Sequence, residues 1–518
     1  MTDGGPAGAL TSDGQRRPPV LSAIDGIVAG LLTTGIATLL AALMTVVGAS
    51  GGQPSPVAAV AGAFIDRTPP WLKDFAVTTF GTHDKLALLV GMLVVLTVIC
   101  AAVGVLLRWR VPWALTAFAL VGGIGLVAVL SRPGASPTDA VPTIVGVLVG
   151  LWYLARGTQP TPPAVTTNPT RRLVLGTIAG GTAAYIGSTV GGHAARATAS
   201  RTAAVGPLRV ASRVSIPAGA DLKVPGLAPF IVPNDAFYRI DTAFVVPRID
   251  ADSWRLRVTG MVDREVEIDW NTLQDKEMTE ALVTLTCVSN EVGGDLVGNA
   301  TWTGWPVRDL LAMAGPRAGA DMVLQTSADG FTCGTPLGAL TDDRNALLAV
   351  RMNGQPLPFE HGFPVRVVVP GLYGYVSACK WVTELKVTTF AADEGYWTPR
   401  GWAARGPVKT ESRIDVPRTG SSVPAGRVAI AGVAWAQHRG ISRVEVQLDD
   451  GPWQQARLAA DASTDAWRQW VLQWDAPRGS HTIRVRATDG TGQVQTATTA
   501  PPAPDGASGW HTVTVRVQ

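Results

Sequence analysis

Five stretches in the first 195 residues run apolar without a charged residue: Gly26–Ser50, Leu86–Leu107, Val111–Ser131, Val141–Ala155 and Leu173–Gly192. Each approaches the roughly 20 residues a helix needs to cross a bilayer, the fourth only when Thr138–Ala140 are counted with it. One such run alone reads as a buried core helix. Five in succession predict an N-terminal α-helical transmembrane bundle over residues 1–195. From about Ser200 the pattern shortens to β-type runs punctuated by Pro and Gly, such as Trp254–Val258, Ala281–Val288, Pro364–Val369 and Trp381–Thr388. Trp305–Met313 has helical apolar spacing with a Pro near its start. A boundary near Arg400–Pro407 separates this central region, 205–402, from residues 405–518. There the runs Val428–Ala434, Val444–Leu448, Trp467–Trp474, His481–Ala487 and His511–Val517 predict an immunoglobulin-like β-sandwich.

Composition sharpens this division. Charged residues make up only 16% of the 518, and hydrophobic ones 47%, an imbalance the first 195 residues carry. With 43 Lys and Arg against 40 Asp and Glu the net charge is +3, which excludes a disordered chain and a nucleic-acid binder driven by bulk charge. Four Cys in a chain this long exclude a disulfide framework. Basic residues set the orientation of the bundle. Arg16 and Arg17, Arg108 and Arg110, and Arg156, Arg171 and Arg172 fall on one side if all five runs span, and that side is expected to be cytoplasmic. An odd number of spans then puts everything after Gly192 outside the cytoplasm, at the outer face of the cell membrane. The pair Arg171-Arg172 before an apolar run rich in Gly and Ala, followed by small residues at Ala194–Ala199, reads either as ordinary positive-inside topology or as a twin-arginine export signal.

The chemistry lies in the central region. This region has no G-x-S-x-G elbow, Walker A loop or H-E-x-x-H zinc helix, and the chain has only six His. One Cys ends a strand and enters a polar loop: Leu285-Thr286-Cys287-Val288-Ser289-Asn290-Glu291-Val292-Gly293-Gly294. Such a thiol reads as a nucleophile, a soft metal ligand or a buried packing residue. Further on, His361, Arg366 and Lys380 fall within twenty residues beside a β-run, an arrangement suited to an anionic ligand or to a solvated basic edge.

Together these segments resemble the sulfite oxidase superfamily of molybdopterin enzymes. In family order come Pro233-Asn234-Asp235-Ala236-Phe237-Tyr238-Arg239, Pro247-Arg248-Ile249-Asp250, the Cys287 loop, Ala300-Thr301-Trp302-Thr303-Gly304-Trp305-Pro306, Asn353-Gly354-Gln355-Pro356, His361-Gly362-Phe363-Pro364-Val365-Arg366 and Lys380-Trp381. The resemblance covers about residues 215–395 and implies a central α+β sulfite-oxidase-type molybdopterin-binding fold. The C-terminal sandwich is similar to that family's dimerisation domain, which implies a homodimer.

The resemblance implies a molybdenum-molybdopterin cofactor with Cys287 as the protein's metal ligand. It places Asn234, Phe237, Tyr238, Arg239, Ser327, Asp329, His361, Arg366, Ala378, Cys379 and Lys380 around the pterin, with Arg366 and Lys380 neutralising its phosphate. Cys287, Arg239 and Phe331 are the catalytic candidates; Cys100, Cys333 and Cys379 are expected to pack. Sulfite-oxidising members place an Arg five positions after the ligand Cys, where this chain has Val292, and an active-site Tyr where it has Phe331. The implied activity is oxygen-atom transfer on a small sulfite-like or sulfoxide-like substrate. His83 lies in a loop and His193 at the end of the last run, and no apolar run carries a central His for haem. Electrons are therefore expected to pass to or from a separate cytochrome or quinone system. Two rivals are a catalytically silent outward-facing receptor or binding protein on the same scaffold, and a transporter. The set Cys287, His361, Arg366 and Lys380 opposes the first, and the expected lack of buried acids or bases in the apolar helices opposes the second.

Overall fold

The computed structural model describes residues 18–157, apart from 48, 51 and several positions between 70 and 83, then 174–189 apart from 188, and 205–518. Arg16, Arg17, His83, Arg171, Arg172, His193 and Ala194–Ala199 lie outside the described residues. Residues 1–196 and 197–518 form two compact units.

The first unit is helical: α1 (Pro19–Val46), α2 (Pro56–Arg67), α3 (Asp84–Leu106), α4 (Val111–Leu130), α5 (Ala140–Gly157) and α6 (Val174–Gly187). Pro in the first turn starts α1, α2 and α4, where its missing N–H costs nothing. Four helices are long and apolar enough to cross a membrane: α1, α3, α4, and α5 with the short turn that precedes it. The described part of the fifth apolar run is a shorter helix, Val174–Gly187. Small residues let the helices approach closely. A methyl group on Gly26 would run into the Cys100 carbonyl, and one on Gly35 into that of Gly180.

Two features depart from the sequence reading. Helix α2 lies between the first two apolar runs, and α1 begins at Pro19, which brings Asp25 inside the bundle. Asp25 is buried and accepts a 3.1 Å hydrogen bond from Tyr153 Oη, so the expectation of no buried acid fails at this position.

The second unit begins with β1 (Arg209–Ser212), β2 (Arg255–Gly260), β3 (Val266–Asp269), α7 (Trp270–Gln274), β4 (Glu277–Thr286) and β5 (Val297–Pro306). It continues through α8 (Val307–Ala314), β6 (Met322–Ser327), β7 (Thr332–Pro336), α9 (Leu337–Thr341), β8 (Leu347–Met352), β9 (Gln355–Pro356), β10 (Arg366–Val368) and β11 (Val382–Thr388). One sheet runs β1-β4-β5-β8-β10 with β9 at the side of β8, and the other runs β3-β2-β11-β6-β7. Strand β4 is antiparallel to β5, from Thr279 opposite Gly304 to Thr286 opposite Val297. From Ala281 onward every residue of β4 is buried, so it reads as a continuous run rather than an alternating one. Helix α8 buries Val307, Leu310, Leu311 and Ala314, the i, i+3, i+4, i+7 stripe, and stops at Gly315 with φ +70°. Trp254, Trp302, Leu256, Leu282 and Val367 fill the core between these elements.

Residues from 411 onward form a second layered pair of sheets. Its strands are β12 (Glu411–Val416), β13 (Ser422–Val423), β14 (Gly426–Trp435), β15 (Ile441–Leu448), β16 (Trp453–Gln455), β17 (Arg457–Leu458), β18 (Arg468–Ala476), β19 (Gly479–Asp489) and β20 (Thr512–Val517). The orders are β12-β14-β18-β17 and β13-β20-β19-β15-β16, enclosing a core of Ile430, Val444, Val446, Trp470, Ile483, Val485 and Val515. This sandwich grips β4 where it approaches Cys287. The Trp467 N–H donates to Thr284 Oγ1 at 2.7 Å, the Thr284 N–H to the Asp465 carbonyl at 2.9 Å, and Gln437 Nε2 to Thr286 Oγ1 at 2.8 Å.

Candidate functional site

Cys287 follows the last residue of β4, and the loop after it is pinned from both sides. Its N–H donates to the Leu296 carbonyl at 2.9 Å, and Asn290 Oδ1 accepts from the Leu296 N–H at 2.8 Å. Gly293 has φ +80° and lies where a Cβ would collide with the His511 ring of the sandwich, so only glycine fits. Cys287 is 9% exposed, and burial raises the pKa of its thiol above the ordinary value.

It faces a cleft of about 960 Å³, partly open to solvent. Of the residues expected around a site, Phe237, Tyr238, Cys287, Ser327, Asp329, Phe331, His361, Arg366, Ala378 and Lys380 all line it. These come from the 230s segment, the end of β4, the β6–β7 turn, the turn at 359–361, strand β10 and the segment before β11. Asn234, Arg239, Val292 and Cys379 are not among its lining. Asn234 instead supports it: its carbonyl accepts from His361 Nε2 at 2.9 Å, and its side chain bonds Asn353 Nδ2 at 2.8 Å. Cys379 is fully buried, as is Cys333, in keeping with a packing role.

The His361 bond fixes its tautomer, because a carbonyl oxygen can only accept. Nε2 therefore carries the proton. Burial and then the nearby Arg366 charge lower the His361 pKa to about 4, so the ring is neutral at physiological pH and Nδ1 is left as an acceptor. The ring also meets Phe237 edge-on at 5.6 Å, and Phe237 stacks on Tyr238 at 5.2 Å.

Three cations behave differently. Arg366 is 4% exposed and hydrogen-bonds only to carbonyls, at 3.2 Å to His361 and 3.4 and 3.5 Å to Ala378 and Val367, with its guanidinium 5.0 Å over the Trp302 ring. Among the described residues it has no carboxylate partner, and burial lowers its pKa to about 10. Lys380 Nζ lies 2.8 Å from Asp241 Oδ2 and 3.0 Å from the Glu360 carbonyl; burial lowers its pKa to about 8 while Asp241 holds it up. Arg239 Nε also reaches Asp241 Oδ2 at 2.8 Å. A buried cation without a counter-charge, facing an open cleft, calls for an anionic ligand.

The rest of the lining is aromatic. Phe331, Tyr375, Trp397 and Trp402 line the cleft, with Tyr375 and Trp402 centroids 6.0 Å apart and Trp397 and Trp402 6.2 Å apart. Tyr375 Oη donates to the Ala403 carbonyl at 2.7 Å. Sequence reasoning missed Asp241, Tyr375, Trp397 and Trp402. The signal for the tryptophans was the aromatic density of residues 396–402, a segment read only as a boundary. Among the described residues no three His, Cys, Asp or Glu side chains converge, so a metal here would take Cys287 and further ligands from a cofactor.

Residues 243–397 match the family described as "Oxidoreductase molybdopterin binding domain", and residues 411–485 match "Bacterial Ig domain". The mitochondrial sulfite oxidase of Homo sapiens is 32% identical over 328 residues, covering 52% of this chain and 58% of that protein. The nitrate reductase [NADPH] of Fusarium oxysporum is 28% identical over 266 residues, covering 41% of this chain and 29% of that one. The solved sulfane dehydrogenase SoxCD from Paracoccus pantotrophus superposes with a TM-score of 0.49 and 25% identity, over 55% of this chain and 81% of that chain. The chain thus spans little more than half the length of the mitochondrial sulfite oxidase it matches.

Proposed function

The chain belongs, through its central domain, to the sulfite oxidase superfamily of molybdopterin-binding oxidoreductases, and from that premise we propose that it is a membrane-anchored enzyme acting outside the cytoplasm. It transfers an oxygen atom to or from a small substrate: in the reducing direction, substrate oxide plus two protons and two electrons gives substrate and water. A separate cytochrome or quinone system carries the electrons. The observation that carries the reading is Arg366, a buried cation whose missing counter-charge a pterin phosphate would supply.

The residues present fit the cofactor. Arg366 and Lys380 would hold its phosphate, His361 Nδ1 would accept from the pterin, and Phe237 and Tyr238 would wall it. Cys287 would give the metal its one protein thiolate, losing its proton as the metal arrives. When bound, the molybdenum centre supplies the two-electron oxygen-atom chemistry. The chain's own contribution is to hold Cys287 on a pinned loop, to keep His361 neutral and oriented, and to exclude water with aromatic rings.

The outer faces of α3 and α4, carrying Val90, Val94, Val98, Leu120, Ile124 and Val127, support a lipid-facing bundle. Exposed Trp109 and Trp113 beside Arg108 and Arg110, and Trp152 with Arg156 stacked at 4.3 Å, support an interfacial cytoplasmic side. Cofactor insertion before export accounts for the Arg171-Arg172 pair as a twin-arginine signal, and the sandwich would form a homodimer. The test is Cys287→Ser in the full chain, assayed with sulfite and with dimethyl sulfoxide against redox dyes. Activity should fall below detection while the thermal unfolding of the protein is unchanged; surviving activity would refute the ligand role.

A further inference from the structure

Charge in the cleft is arranged unevenly. Its ionisable lining comprises Asp241, Asp329, Arg366 and Lys380, besides Cys287, the neutral His361 and two Tyr hydroxyls. Asp241 is 5% exposed at its side chain and lies 2.8 Å from both Lys380 Nζ and Arg239 Nε, with a further 3.4 Å contact from the Arg239 guanidinium. One buried carboxylate therefore answers two cations. On the reading that Arg366 and Lys380 face the cofactor phosphate, no cation of the lining is left for a substrate: Arg239 lies outside the lining, held there by Asp241, whose own carboxylate lines the cleft. Asp329 adds a second acid, and Phe331, Tyr375, Trp397 and Trp402 offer ring faces that attract uncharged or cationic groups and have no charge for an oxyanion.

We propose that Asp241 is a specificity-determining residue: by placing its own carboxylate in the cleft and holding Arg239 outside the lining, it disfavours negatively charged substrates and selects small ones without net negative charge. The inference rests on the molybdopterin reading and deepens it. It also sets this site apart from one made for an inorganic oxyanion, which would need an unpaired guanidinium or ammonium at the substrate position.

The experiment is calorimetric titration of the cofactor-loaded full chain, wild type and Asp241→Asn, with sodium sulfate at constant ionic strength. Molybdenum and pterin content are read on each sample first. Asp241→Asn frees Arg239, and sulfate should bind about tenfold tighter or more than to wild type. A loaded Asp241→Asn protein whose sulfate affinity stays within about twofold of wild type overturns the inference and leaves the cofactor reading standing. Wild-type protein without cofactor, from a competent host, removes both. Should Asp241→Asn fail to fold, Arg239→Gln, at a half-exposed position, takes its place with tetramethylammonium chloride as probe. Asp241 then loses one of its counter-charges, and the cation should bind about threefold tighter or more; unchanged affinity overturns the proposal.

Discussion

Replacing Arg366 by methionine should move stability and cofactor retention in opposite directions. Arg366 is 4% exposed, and burial lowers its pKa from the ordinary 12.5 to about 10. At about 1.4 kcal/mol per pH unit, keeping this buried charge costs the folded cofactor-free protein about 3 kcal/mol. Methionine removes that cost and keeps most of the packing over Trp302. Against it stand the hydrogen bonds to the His361, Ala378 and Val367 carbonyls, which at 3.2, 3.4 and 3.5 Å are long and together worth about 2 kcal/mol. The balance is a stabilisation of about 1 kcal/mol in cofactor-free protein, a rise of roughly 2 °C in melting temperature for a unit of this size. In a cofactor-competent host the same variant loses a buried charge-assisted contact to phosphate, worth about 2–5 kcal/mol, and pterin retention should fall by about 30-fold or more. Differential scanning calorimetry of the cofactor-free chain and pterin content of the loaded chain read the two effects. A cofactor-free Arg366→Met protein that melts well below wild type, together with unchanged pterin content, would refute the claim that this cation waits for an anion.

Two further outcomes concern the sandwich and its hold on the site. Glu411 is buried, and its pKa is pushed up from the ordinary 4.5 to about 8, so the folded form holds the proton more tightly than the unfolded form. The contribution of Glu411 to stability is therefore fullest below pH 4.5 and is lost as pH rises toward 8, by at most about 1.4 kcal/mol per unit. Glu411→Gln should flatten that slope in melting curves recorded across the window; an unchanged slope would show that another group causes it. Thr284→Val leaves the Trp467 N–H and Asn299 Oδ1 without their 2.7 and 2.9 Å partner, and should cost about 2–4 kcal/mol in chemical unfolding and reduce molybdenum retention. A loss below about 0.5 kcal/mol would show that the sandwich does not brace β4.

What was legible in the sequence was local. Uninterrupted apolar runs announced the helices, and the β-type runs at 254–258, 381–388 and 481–487 lie within or beside observed strands. The Cys287 loop and the His361–Arg366 segment stood out because their residue types are unusual together. Asp241 escaped because its meaning depends on Lys380, 139 positions away, which only the fold brings to 2.8 Å. Trp397 and Trp402 escaped for a similar reason: a segment that looks like a linker folds back against Tyr375. Asp25 escaped because the first apolar run was started just after it, at Gly26, whereas a Pro in the first turn lets the helix begin earlier. Helix α2, amphipathic and only 12 residues long, falls below any membrane criterion.

Molybdenum and pterin content of the purified full chain, made in a host that synthesises the cofactor, tests the central claim most directly. The account predicts both in equal amounts, with X-ray absorption showing one fewer sulfur at the metal in Cys287→Ser. Wild-type protein that is folded yet carries neither would contradict it.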